Sequence, residues 1–417
     1  MAMPDEVAQL RALMEYEAAR TAPPESWPVT PDVPAGRYTD ERFFELEMNY
    51  LWRKSWLLAA HLDELPDPGC YRLWDQLGEP IVITHTETGE IKAFYNTCRH
   101  RGAPVVMQEF GQSRRLTCAY HGWSYSHDGE LMGLRDPEDF HSLDKGQRGL
   151  KPVRCERYGK LIFVNLDPEA LSLLEWLGPI ADEWREFRFD TCRLAARHSF
   201  ELDCNWKIAM EANTEVYHVR SIHPTTVAPI LDDRRNVNTL YHHGHGRMVA
   251  PTPTGKSNMD AVPMDTSIPE IESVGELART GIQSYGLFPN LVAPLSQYAL
   301  PPLLFWPRGI RKSVLETWTI APEWGNAPAP DMWTLNQGEE LCQVLQEDMQ
   351  FGLKIQKSME SPAFEGVPLS YQEARIYHWN EAADRIIGPE NIPKELRVAQ
   401  VIGEEWIWPN DPRRAHI

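Results

Sequence analysis

The chain has 417 residues, 42% of them hydrophobic and 24% charged, with 15 Trp and a formal net charge of −19 at pH 7. That length and apolar content suffice for two or three domains with large cores. The excess of acid argues against nucleic acid or an anionic membrane surface as a partner, since both would repel the chain at long range, and points instead to a basic docking surface on some other protein.

In chain order, Val7, Leu10 and Met14 recur at helical spacing until Pro23-Pro24 stop the pattern, which predicts a helical segment within residues 1–44 that packs on a later domain. A second helix is expected over 40–56. From about Gly69 the apolar period changes to two: Ile81-Val82-Ile83 leads to a Thr88-Gly89 turn and a return over Ile91 to Tyr95. The pattern continues past an Asp128-Gly129 turn to Leu161-Ile-Phe-Val164. These strands make residues 45–170 a small antiparallel β domain. Residues 171–417 form a second domain, helical through Leu174 to Phe189, with strands around Tyr285 to Leu291, Leu303 to Trp306 and Val314 to Ile320, and a largely helical last 80 residues. Residues 246–283 lack periodicity and read as mobile or as a lid. No stretch approaches 18 uninterrupted apolar residues and no basic start precedes an apolar run, so neither a membrane span nor a signal peptide is expected. Of seven Cys, the five at 70, 155, 192, 204 and 342 show no paired spacing, which favours the reducing cytoplasm.

Two pairs inside the β region carry chemistry: Cys98-Arg-His100 and Cys118-Ala-Tyr-His121. A zinc finger usually groups its thiolates in one loop and its imidazoles in another, whereas here each loop offers one of each. That order suits a [2Fe-2S] cluster of the Rieske kind, with two Cys on one iron and two His on the other. Gly102 and Gly122 keep both segments in loops and leave backbone N–H groups free to approach sulfide. The extended stretches, Cys98 to Gly102 and Cys118 to Trp123, resemble the Rieske motif of bacterial ring-hydroxylating and related oxygenases.

A second constellation follows in Glu211 to Pro224, where Glu215, His218 and His223 fall at i, i+3 and i+8, the first two on one helix face. Pro224 biases His223 out of the α region, so the chain can bend and bring that imidazole back. Two imidazoles and a carboxylate make the facial triad of a non-haem Fe(II) site. A helix over 338–357 offers Glu339, Glu340, Glu347 and Asp348. Asp348 sits on the apolar stripe Leu341, Val344, Leu345, Phe351, Gly352, Ile355, where a carboxylate is costly unless paired or bound to metal, while Glu347 lies on the polar face. His218, His223 and Asp348 are therefore the expected iron ligands. The triplet His242, His243 and His245 has no carboxylate at useful spacing and reads as surface or pocket wall.

This segment too is similar to the iron-binding stretch of the Rieske oxygenases, and the late Glu-Asp pair resembles their third-ligand position. Taken over most of the chain, the resemblance is to the terminal oxygenase (alpha) subunit of a Rieske non-haem iron oxygenase. It implies an α+β protein, with an N-terminal Rieske antiparallel β domain and a helix-grip catalytic domain of curved antiparallel sheet and helices. It also implies O2 activation at iron to hydroxylate or demethylate an apolar or aromatic small molecule. Electrons would come ultimately from NAD(P)H through a separate reductase or ferredoxin, consistent with the lack of a GxGxxG motif after a strand. The family assembles as threefold rings, with or without a small beta subunit, and an acid at the position of Glu215 bridges the first iron His to the cluster His of the next subunit, here His218 to His121. That acid is usually Asp. Glu occurs in members acting on quaternary amines, which makes a carnitine-like or betaine-like substrate the alternative. An electron carrier without oxygenase activity, or a zinc-stabilised binding module, would need far fewer of these residues.

Overall fold

The computed structural model describes residues 4–253, 268–334 and 341–416. The chain divides into two compact units, Arg53–Glu175 and a larger one made of Met1–Trp52 with Trp176–Ile417.

In the smaller unit a seven-stranded antiparallel sheet runs, in spatial order, Leu57–His61, Leu161–Asn165, Pro152–Tyr158, Ile91–Tyr95, Ile81–His85, Cys70–Trp74 and Phe110–Gln112. The strands Ile81–His85 and Ile91–Tyr95 are joined by the Thr88-Gly89 turn, Gly89 lying at φ 85°, where a side chain would be strained. A three-stranded sheet of Leu116–Thr117, Ser124–Tyr125 and Leu131–Gly133 forms a separate layer. Between them Val82, Phe94, Val105, Val106, Leu116, Trp123, Tyr125, Leu131 and Leu150 bury a core that includes Cys98 and Cys118.

The larger unit is built on a second seven-stranded antiparallel sheet, ordered Arg193–Leu202, Lys312–Ala321, Leu303–Gly309, Leu291–Leu295, Gly281–Leu287, Gly246–Pro251 and Val237–Leu240. The helix Ala374–Ile387 is buried around nearly its whole circumference. A capping box formed by Ser370 and Glu373 precedes it, and Gly388 at φ 92°, followed by Pro389, ends it. The mixed α+β architecture and the curved antiparallel sheet are as expected.

Several local expectations are corrected. The helix over 40–56 breaks into Glu41–Leu46, a π turn Glu47–Leu51 and a 3-10 turn Trp52–Lys54, and the Glu47 side chain is fully buried against Lys207. The strand expected to end at Leu291 is two strands, because Phe288 to Asn290 form the tip of a hairpin. Residues 246–283 are not wholly irregular: Gly246–Pro251 and Gly281–Leu287 pair with each other in the sheet, Glu276–Thr280 form a short helix, and 254–267 lie outside the described residues. After Gly388 the chain is irregular with 3-10 turns, interrupted by Pro389, Pro393, Pro409 and Pro412.

A candidate metal centre and a cluster-binding pair of loops

The two loops of the smaller unit share one backbone design. Cys98 N–H donates to Ala103 O at 2.8 Å and Gly102 N–H returns to Cys98 O at 3.0 Å; Cys118 N–H donates to Trp123 O and Gly122 N–H to Cys118 O, each at 2.9 Å. Gly102 and Gly122 adopt φ 78° and 73° to close these turns. Asn96, buried, staples the first loop: its Oδ1 accepts from Val105 and Val106 N–H at 2.9 Å and its Nδ2 donates to Val106 O at 2.7 Å. Tyr125 Oη lies 3.3 Å from Cys98 Sγ and accepts from Arg99 N–H at 2.9 Å.

This folding brings the imidazoles together as well. The His100 and His121 ring centroids are 4.5 Å apart, and His100 stacks on Trp123 at 4.9 Å. His100 Nδ1 is buried with no hydrogen-bond partner, as a nitrogen reserved for a metal would be. Burial raises the Cys118 thiol pKa, against the pull of Tyr120 and His121 N–H groups aimed at the sulfur. Among the described residues these four side chains do not gather around a single ion, whereas a two-iron cluster requires Cys and His to reach different metals. The donor set fits the cluster and not a tetrahedral zinc site.

In the larger unit one group of three does gather: ligand atoms of His218, His223 and Asp348 lie within 4.8 Å of one another. Asn205 caps the helix Trp206–Glu211 through Lys207 N–H at 3.0 Å, and a short helix, Val219–Ile222, begins just after His218. Glu215 and His218 thus lie in the turn between two helices rather than on one helix face. There the Glu215 carboxylate accepts from the N–H groups of Tyr217 and His218 and from His218 Nδ1. His223 ends the second helix at φ −118°, ψ 45°, the departure expected ahead of Pro224.

Asp348 Oδ1 stands 2.8 Å from His223 Nε2 and 3.4 Å from His218 Nε2. It lies on the helix Gln343–Met349, and a break separates that from the helix Gly352–Met359. The break corrects the expected single stripe: Asp348 and Leu345 are buried, but Phe351 and Ile355 are exposed. Glu339 and Glu340 lie outside the described residues. Glu347 is not merely part of a polar face. Its Oε2 accepts from His223 Nδ1 at 2.7 Å and from Thr226 Oγ1 at 2.6 Å. Sequence periodicity missed this role; its only trace was adjacency to Asp348.

Each imidazole is thus gripped at Nδ1 by a carboxylate and presents Nε2 to Asp348, the arrangement that orients metal-binding His. Burial opposes charge on His218, but Asp348 and Glu215 outweigh it and push its pKa up to about 10. A metal cation held by these residues would take the place of that proton. Two His and one carboxylate with open positions suit non-haem Fe(II). The His242–His245 triplet takes no part: His245 is buried in the core, bonded to Trp176 O and Phe288 N–H, each at 2.9 Å.

Residues 189–388 match the catalytic domain of ring hydroxylating alpha subunits, and residues 55–144 match the Rieske [2Fe-2S] domain. The carnitine monooxygenase oxygenase subunit of Acinetobacter baumannii is 30% identical over 258 residues, which cover 60% of this chain and 68% of that protein. The chain belongs to the Rieske oxygenases. Within this family the Escherichia coli K12 carnitine monooxygenase oxygenase subunit is 33% identical over 54% of this chain and 58% of its own length. The glycine betaine monooxygenase oxygenase subunit of Chromohalobacter salexigens is 34% identical over 48% and 45%. The matched part of the chain thus spans only about half the length of these two relatives. In fold, it superposes on a quaternary ammonium Rieske monooxygenase in complex with L-carnitine at a TM-score of 0.70, with 21% identity, covering 87% of this chain and 99% of the other. Naphthalene 1,2-dioxygenase from Rhodococcus sp. gives 0.72 and 22%, covering 93% and 99%. As a family member this Rieske oxygenase belongs with a [2Fe-2S] cluster and a mononuclear iron, and the two donor sets described fit them. Among the described residues no helix is long and apolar enough to cross a membrane.

Proposed function

We propose that the chain is the oxygenase component of a multicomponent monooxygenase, taking electrons from a separate NAD(P)H-fed reductase or ferredoxin and oxidising a small quaternary amine. The observation that carries this reading is the meeting of His218, His223 and Asp348, in a chain that also pairs Cys98 and His100 with Cys118 and His121. When bound, the cluster passes on single electrons and the iron activates O2 beside the substrate. Cys98, Cys118, His100 and His121 hold the cluster, while Trp123 fixes the His100 ring by stacking. His218, His223 and Asp348 hold the iron, Glu347 orients His223, and Glu215 keeps the Nδ1 proton of His218 in place. In a threefold ring, with or without a small beta subunit, Glu215 joins His218 to His121 of a neighbouring copy.

The quaternary-amine substrate is supported by relatives named for carnitine and glycine betaine and by Glu at 215. Hydroxylation of an aromatic molecule is the second reading. It is supported by the anthranilate 1,2-dioxygenase large subunit of Acinetobacter baylyi, 31% identical over 48% of this chain. Seven cysteines without a disulfide fit a reducing, cytoplasmic location.

The test is iron and acid-labile sulfide per chain, with the visible spectrum, in wild type and His218→Ala. About three irons and two sulfides are expected, falling to about two irons in the variant with the Rieske spectrum intact. Two irons in both would leave an electron carrier, and a colourless zinc protein would remove both metal assignments. Oxygen uptake with quaternary amines and with aromatic compounds then separates the two substrates.

A further inference from the structure

Five arginines are buried among the described residues. Four have a carboxylate partner: Arg37 with Asp384, Arg72 with Glu64, Arg247 with Glu183 and Arg413 with Glu17. Arg375, 4% exposed, has none among the described residues, and its Nη1 and Nη2 are both buried with no hydrogen-bond partner among them. A buried cation in that condition destabilises the fold unless an anion joins it. The chain nevertheless makes room for it. Gly246 and Gly286 stand opposite each other on adjacent strands, and a Cβ at 286 would lie 2.7 Å from Arg375 Nη2, one at 246 3.2 Å from its Nε. Neither glycine has a positive φ, so it is the guanidinium rather than the backbone that requires them.

Arg375 lines a cavity with Met210, Thr214, Phe288 and Trp379, otherwise apolar, in which water-sized particles have about 20 Å³ for their centres. That is space for one or two waters or one carboxylate group, roughly. Met210 and Thr214 belong to the segment that leads into Glu215 and His218. Glu373, two residues before Arg375, lies close enough to both for their charges to act on its carboxyl.

We propose that Arg375 is the receptor for a carboxylate on the substrate, restricting this oxygenase to zwitterionic or anionic molecules. The proposal rests on the oxygenase reading above and holds for either substrate class named there. Two parallel N–H groups on one guanidinium edge match the two oxygens of a carboxylate. Burial lowers the Arg375 pKa to about 10, which leaves it cationic at neutral pH.

The experiment uses the iron-loaded protein and matched pairs: glycine betaine with choline, and benzoate with benzyl alcohol. Wild type is expected to favour the carboxylate member through KM by about tenfold or more. Arg375→Met should erase that preference with iron content and cluster spectrum unchanged, and with Tm unchanged or raised because an unpaired buried charge is gone. Gly286→Ala, which crowds the guanidinium and leaves its charge, should weaken the preference in the same direction. A carboxylate preference that survives Arg375→Met, or an alcohol member favoured by wild type, overturns the proposal. If no compound supports oxygen uptake by wild type, the substrate reading fails separately. The anion site is then read by formate, which must raise the Tm of wild type more than that of Arg375→Met; equal shifts overturn it.

Discussion

At His223 two carboxylates divide the work on one imidazole: Asp348 at Nε2, the nitrogen proposed for the metal, and Glu347 at Nδ1, where the ring is aimed. Removing an orienting partner of this kind typically costs about 10- to 100-fold in metal affinity. Glu347→Ala should therefore weaken iron binding by that order, with the cluster spectrum unchanged, as measured by iron retention against a graded chelator. His218 carries a pH signature. Its folded pKa of about 10 exceeds the unfolded value, so in the metal-free protein the stability it contributes is complete below about pH 6.5 and is lost as pH rises towards 10. The melting temperature of metal-free wild type should fall over that window more steeply than that of His218→Gln. Iron uptake should release a proton there and tighten with rising pH.

The helix Trp206–Glu211 shows how an element can be fixed from beneath. Lys207 is fully buried, its Nζ 2.7 and 2.9 Å from the Glu47 carboxylate oxygens. Burial pulls the Lys207 pKa down and the Glu47 pKa up, and the pair opposes both shifts. Removing one partner leaves a buried charge alone. Lys207→Met should destabilise the larger unit by about 3–5 kcal/mol in denaturant unfolding, and the double change with Glu47→Leu should recover most of the loss. In the smaller unit Asn96 plays the comparable part for the first cluster loop. Asn96→Leu strands two buried N–H groups and a carbonyl, at about 1–3 kcal/mol each, and should yield protein that loses its Rieske absorbance on mild heating before the larger unit melts.

For the whole molecule, net charge is a poor guide to the surface near the cluster. The chain carries −19 overall, which suggested docking to a basic partner. A groove of about 900 Å³ beside Cys98 and His100 is instead lined by Arg99, Arg101, Arg148, Lys151 and Arg154. Local charge, not the sum, decides encounter over a Debye length of roughly 10 Å. An acidic electron donor should therefore reduce the cluster at a rate that falls with ionic strength, and Arg101→Glu with Arg148→Glu should flatten that dependence in stopped-flow measurements.

The covalent order of ligands was legible in the chain: Cys and His alternate in two short loops, and Pro224 forces His223 to turn, because ligand spacing and φ restrictions are local properties. The strands around Ile81 and Ile91 were legible for the same reason, since period-two burial is written in neighbouring residues. The cost of burying a carboxylate singles out Asp348 in the sequence, although the apolar stripe that carries it breaks at Phe351. Tertiary structure alone decided the rest. Glu347 turns from polar face to partner of His223, Glu47 meets Lys207 from 160 residues away, and Arg375 settles over Gly246 and Gly286. These roles depend on which distant backbones approach one another, and no residue's own neighbours in sequence carry that information.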